Sequence, residues 1–143
     1  MVIEESKMKL GIGAKYSENR TIEELDINRF IELTGDNNPV HTSDEAAKAQ
    51  GFKSRIAHGL LSTSFFSAIL ATKFPGPGAI YLGQSMKFHA PVYLNEMLTY
   101  ELEVVAQKDG KPIFTISTII KNSSDDVLVS GEAIIRVPRE YLA

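Results

Sequence analysis

Apolar positions follow two different periods along this chain. From about residue 21 to residue 73 they recur at helical spacing, and from Ile80 to Pro138 they alternate. In the first region Ile27, Phe30, Ile31 and Leu33 fall on or near one face of a predicted helix. Its start fits a capping box over Thr21-Ile22-Glu23-Glu24, with Asp26 as an alternative N-cap. Gly35 supplies a C-terminal stop, and Pro39 disfavours helical backbone at Asn38, so GDNNPVH (35–41) is predicted to be a loop. Thr42-Ser43-Asp44-Glu45 can cap a second, short helix that runs to about Gln50 and is closed by Gly51. Residues 12–18 are a short strand or an extended arm.

Residues 58–73, HGLLSTSFFSAILATK, are the most distinctive segment. Leu60, Leu61, Phe65, Phe66, Ile69 and Leu70 spread around much of the helical wheel, and no charge lies between His58 and Lys73. A helix that is apolar nearly all round is expected inside the protein, and FPGPG (74–78) ends it. Beyond it, residues 80–88, 98–107, 113–120 and 127–137 read as strands rich in β-branched and aromatic residues. KDGK (108–111) and NSSDD (122–126) are turn-like, which makes the last three strands an antiparallel meander. One buried helix followed by several long strands predicts an α+β fold in which the sheet curls around the helix, with an edge or face left for a second subunit.

Composition narrows the function classes. A chain of 143 residues without repeat or linker is expected to be one domain spanning residues 1–143. A net charge of −3 with no cationic run argues against a nucleic-acid partner. The absence of cysteine excludes disulfides, thiolate catalysis and cysteine-type zinc sites. MVIEESKMKL has no apolar signal region, and no run approaches the roughly 18 apolar residues of a membrane span, so a soluble, cytoplasmic protein with no membrane partner is expected. GIGAKY (11–16) lacks the third glycine and the βαβ context of a dinucleotide site. Three scattered histidines give no clustered ligand set for a metal.

The predicted loop poses a geometric question. Asp36 and His41 are five residues apart, which on a helix at about 100° per residue would turn them roughly 140° from each other. Read alone, an Asp-Asn-Pro cluster is more often a turn or cap than a site. Here GDNNPVH resembles the G-D-x-N-P-aliphatic-H signature of the MaoC-like hydratases, specifically the (R)-specific enoyl-CoA hydratases, with every defining position filled. The resemblance continues through IAHGLLSTSFFSAIL (56–70), IYLGQSMKFHAPV (80–92) and GEAIIRVP (131–138), covering the chain from about residue 10 to 138. It is nearest to the small single-domain members linked to polyhydroxyalkanoate precursor supply. One departure is KSRIAHG (53–59), which lacks the proline that often precedes the family's His-Gly pair; it removes no catalytic group.

The resemblance implies a hot dog fold, usually a homodimer, and reversible syn addition of water to a trans-2-enoyl-CoA to give the (R)-3-hydroxyacyl-CoA. The loop would then fold Asp36 and His41 back towards one point, with Pro39 reducing the entropy lost in holding them. Asp36 is expected to be the principal water-activating group, and His41 to bind the same water and relay or donate the proton. The Gly59 amide, at the start of the long helix, is the implied donor to the thioester oxygen. Asn38 would bond the loop backbone or orient one of the pair, and Ser67 matches a family position that lines the active site. His58 and His89 are expected to be structural, and Lys53, Arg55 and Lys87 to be solvated rather than bound to coenzyme A phosphates. Phe88 and Ile135 are candidates to wall a tunnel for a short to medium acyl chain. No cofactor is implied, since coenzyme A is part of the substrate. The rival readings are a hot dog acyl-CoA thioesterase and a non-catalytic acyl-thioester-binding subunit.

Overall fold

A computed structural model describes residues 9–143. Five strands form one sheet among these residues: β1 (Lys15–Arg20), β2 (Ile80–Phe88), β3 (Leu98–Gln107), β4 (Ile113–Lys121) and β5 (Val127–Arg136). Their spatial order is β1-β3-β4-β5-β2, with every neighbour antiparallel. The meander of the last three strands is therefore as predicted. The segment read as a strand or an arm is an edge strand on β3, and β2 is the opposite edge, against β5.

Side-chain alternation makes one face of this sheet the core. Leu98, Tyr100, Leu102 and Val104 of β3 point the same way as Phe114, Ile116 and Ile120 of β4, and all are buried. Facing them is α3 (Gly59–Thr72), which buries Leu61, Ser62, Thr63, Phe66, Ile69 and Leu70. The described residues leave its opposite side uncovered: Leu60 is 62% exposed, and Ser64, Ser67, Ala68 and Ala71 follow it on the open face. The sheet covers one side of the helix only, so the expectation that the helix lies inside rather than at the surface is corrected, while the face expected to be left open is present. Tyr100 ties sheet to helix by donating its hydroxyl to the Ser62 carbonyl at 2.7 Å, and burial raises its pKa. Tyr100→Phe keeps the ring and loses that bond, and thermal unfolding should report a loss of about 1 kcal/mol with the fold intact.

Two further expectations at α1 (Glu24–Thr34) are revised. The N-cap is Glu23, whose backbone N–H donates to Asp26 Oδ2 at 2.9 Å, rather than Thr21 or Asp26. A start at Thr21 would need the Ile22 carbonyl inside the helix, but that carbonyl accepts from Asn95 N–H at 2.8 Å. Leu33 is 84% exposed. Six residues past the buried Ile27, it lies about 120° around the wheel from the face that meets the core. No helix among the described residues is long and apolar enough to cross a membrane.

Candidate active site

The loop after α1 is built by local signals. Gly35 takes the left-handed conformation that ends the helix (φ 80°), and its N–H donates to Ile31 O at 2.7 Å. Asn38 then caps a 3₁₀ turn over Pro39–His41, its side chain accepting from Val40 N–H at 3.4 Å. Its own N–H reaches back to Asp36 Oδ1 at 3.3 Å, and its carbonyl accepts from His41 N–H at 2.9 Å. Asn38 thus bonds the loop backbone and also touches the Asp36 carboxylate. This tight turn answers the spacing question: it brings Asp36 and His41 to one side of the loop.

Asp36 is exposed, whereas His41 is buried. His41 Nδ1 lies 2.7 Å from the Ile56 carbonyl. A carbonyl can only accept, so Nδ1 carries the hydrogen and Nε2 is left with a lone pair. Burial holds the His41 pKa below the ordinary histidine value, and the neighbouring His58 acts in the same direction. The Ile56 bond and the Asp36 charge oppose both effects.

The remaining parts come from α2 (Asp44–Ala49) onwards, as the chain runs to α3. Ile56 N–H donates to Val40 O at 3.0 Å and Ala57 N–H to Val92 O at 2.8 Å, which pins this segment between the 3₁₀ turn and the link after β2. His58 follows as the N-cap of α3, buried, with its ring stacked on His41 at 3.7 Å and 28°. The histidines expected to be scattered are therefore two-thirds clustered. The signal was invisible locally, because it depends on backbone bonds between distant segments.

Gly59 is the first residue of α3, so its N–H belongs to the initial turn that has no intrahelical acceptor. A Cβ there would stand 2.5 Å from Phe88 Cε1. Gly59 and Phe88 are two walls of a cleft of about 490 Å³ that also takes in Asp36, His41, His58, Leu60 and Val92. The structure thus brings Asp36, His41 and Gly59 to one cleft. Ser67 is not part of it; it lines a separate groove with Thr63, Tyr81 and Gln84, which meets the first only at Leu60. Ile135 is fully buried in the core and lines neither, so its role as a tunnel wall is withdrawn. His89, expected to be structural, borders the cleft with Nε2 2.7 Å from Ser130 Oγ. No lysine or arginine lines the cleft among the described residues, and Arg55 is paired with Glu24 at 3.3 Å.

Asp36, His41 and His58 each place a potential ligand atom within 4.8 Å of the other two. His41 Nδ1 is engaged by the Ile56 carbonyl and His58 Nε2 by the Asp36 carbonyl, which leaves one nitrogen on each ring. The 4.8 Å span also fits a water bridging Asp36 and His41. Asp36 and the His41 Nε2 can each accept one hydrogen of such a water, at about 2.8 Å per bond.

Comparison with known proteins bears on the family and the fold. The family model described as "MaoC like domain" matches residues 7–126. An (R)-specific enoyl-CoA hydratase of Rhodospirillum rubrum is 42% identical over 126 residues, 88% of this chain and 87% of that one. Another, from Aeromonas caviae, is 36% identical over 133 residues, 93% of this chain and 99% of that one. The solved structure of an (R)-hydratase from A. caviae involved in PHA biosynthesis superposes with a TM-score of 0.86, covering 90% of this chain and 98% of that one at 36% identity.

Proposed function

The chain belongs to the MaoC-like domain family, has the hot dog fold and is a hydro-lyase; from that premise we propose that it hydrates trans-2-enoyl-CoA to (R)-3-hydroxyacyl-CoA, reversibly, through Asp36 and His41. The observation that carries this reading is the exposed carboxylate set beside a histidine whose free Nε2 is held as an acceptor, next to the open amide end of α3.

In the proposed step, the thioester oxygen accepts from Gly59 N–H, and a water is held between Asp36 and His41 Nε2. The water oxygen bonds to Cβ while its proton passes to Nε2, and the C=C electron pair moves onto the thioester as an enolate. The imidazolium, stabilised by the Asp36 charge, then returns that proton to Cα on the same face, so the addition is syn. This revises the division of labour expected from the sequence. Because Nδ1 is committed to Ile56, His41 has no proton to donate until it has taken one, and Asp36 orients the water. The scheme requires no metal or organic cofactor.

Loss of enoyl-thioester absorbance with crotonyl-CoA, with chiral analysis of the product, tests the reading. Turnover to the (R)-alcohol supports it. Release of free thiol with Cα and Cβ unchanged would establish the thioesterase instead, and saturable acyl-CoA binding without turnover of any enoyl chain would establish the binding subunit. The pH profile gives a second check. Protonating His41 removes its acceptor, so hydration falls on the acid side. Since burial lowers the His41 pKa from 6.5, the acid limb of kcat/KM should lie below pH 6.5. A limb centred above that value would contradict the assignment.

We also propose a homodimer. β2 leaves one backbone edge unpaired among the described residues, and beside it Ile80, Leu82 and Phe88 are 48%, 52% and 52% exposed, close to the open face of α3 at Leu60. Solution mass should be near twice 15.8 kDa; a stable monomer would oppose it. Within that reading Ser67, on the same open face, would be a subunit-proximal residue rather than a member of its own chain's cleft.

A further inference from the structure

Building on the hydratase reading, we propose that His58 is a positioning residue for the reaction, its ring clamping the Asp36 main chain and the His41 side chain into one frame at the start of α3. The ring is 2% exposed and makes contacts on its edge and its faces. Its Nε2 lies 2.8 Å from the Asp36 carbonyl. That oxygen only accepts, so the His58 Nε2 carries a hydrogen and donates it. Its Nδ1 is buried with no hydrogen-bond partner among the described residues. Leaving a buried polar atom unmet costs stability. A hydrocarbon ring of similar size would avoid that cost and fill the space equally well, so packing alone does not account for an imidazole here. What only the imidazole supplies is the bond to Asp36.

The three groups assigned to the reaction come from separate segments: Asp36 from the end of α1, His41 from the 3₁₀ turn, and Gly59 from the start of α3. His58 joins all three. It donates to the Asp36 carbonyl, stacks on His41 at 3.7 Å, and is the residue whose peptide carries the Gly59 N–H. Phe30 packs tilted against the same ring at 4.7 Å, limiting its movement. Fixing the Asp36 carbonyl fixes that residue's backbone angles, and so the direction in which the carboxylate leaves the chain. A displacement of about 1 Å at a reacting group can lower a rate on the order of 100-fold.

His58→Phe keeps the ring volume and the stack on His41 but removes the donor, whereas His58→Gln keeps a donor and loses the stack. The Phe variant should lose about 10- to 100-fold in kcat for crotonyl-CoA hydration with KM changed by no more than about threefold. The Gln variant should recover a clear part of that loss. Nitrogen NMR of the wild-type protein should show a hydrogen on His58 Nε2, a reading that needs no turnover and stands even if a variant does not fold. A Phe variant with wild-type kcat, equal impairment of both variants, or an Nε2 without a hydrogen would each overturn the clamp. Wild-type protein that hydrates no enoyl thioester would instead remove the hydratase reading, and the nitrogen spectrum would still decide whether His58 holds Asp36.

Discussion

Asp36→Asn and His41→Gln are each expected to lower kcat/KM for crotonyl-CoA hydration by about 10²–10⁴, the range for losing one positioned acid or base. Asparagine preserves the shape of Asp36 and an oxygen for the Asn38 N–H. It removes the charge that would orient water and stabilise the His41 imidazolium. The side chain is exposed, with that one 3.3 Å contact from the backbone, so unfolding should be nearly unchanged. Glutamine at position 41 can still donate an N–H towards the Ile56 carbonyl, but it gives up the stack on His58 and the basic nitrogen. A stability loss of about 1–2 kcal/mol is expected there, small enough to leave the protein folded. Circular dichroism and thermal melting separate the two effects. A folded variant of either kind that works at the wild-type rate would remove that residue from the mechanism.

Gly131→Ala should be the most damaging single methyl group in the chain. Gly131 sits in β5 opposite Met86 of the β2 edge and Thr118 of β4. A Cβ there would fall 1.9 Å from the Ser85 carbonyl oxygen and 3.0 Å from Met86 Cα. Both obstacles are backbone, so no rotamer change relieves them, and β2 would have to separate from β5. A loss of about 3 kcal/mol or more in urea unfolding is expected, a large share of an ordinary domain's 5–15 kcal/mol. Gly59→Ala is the instructive contrast. The clash at Gly59, 2.5 Å, is with the Phe88 ring, which is half exposed and free to swing. That variant should unfold at close to the wild-type urea concentration. A Gly131→Ala protein as stable as wild type would show that the β2–β5 approach is looser than described.

Much of this molecule follows from its order of residues. The change of period near residue 79 separated helices from strands, and the boundaries of β2 and β3 were predicted to the residue. Gly35, Asn38 and Pro39 specified the turn that carries Asp36 and His41, because caps and prolines act on backbone angles within a few residues. The GDNNPVH motif therefore identified its own geometry as well as its family.

What the tertiary structure decided was each matter in which distant segments meet. The placement of β2 beside β5 follows no local rule, and it alone sets the Gly131 contact and the Gly59–Phe88 wall of the cleft. Leu33, Ile135 and the burial of α3 were misjudged because apolar character says that a side chain favours burial, not which surface is present to bury it. His58 looked incidental beside Gly59 until the fold laid it on His41, with Asp36 22 residues earlier in the chain. Local propensity has no term for that meeting; it depends on hydrogen bonds from Ile56 to Val40 and from Ala57 to Val92, which form only when the chain is packed.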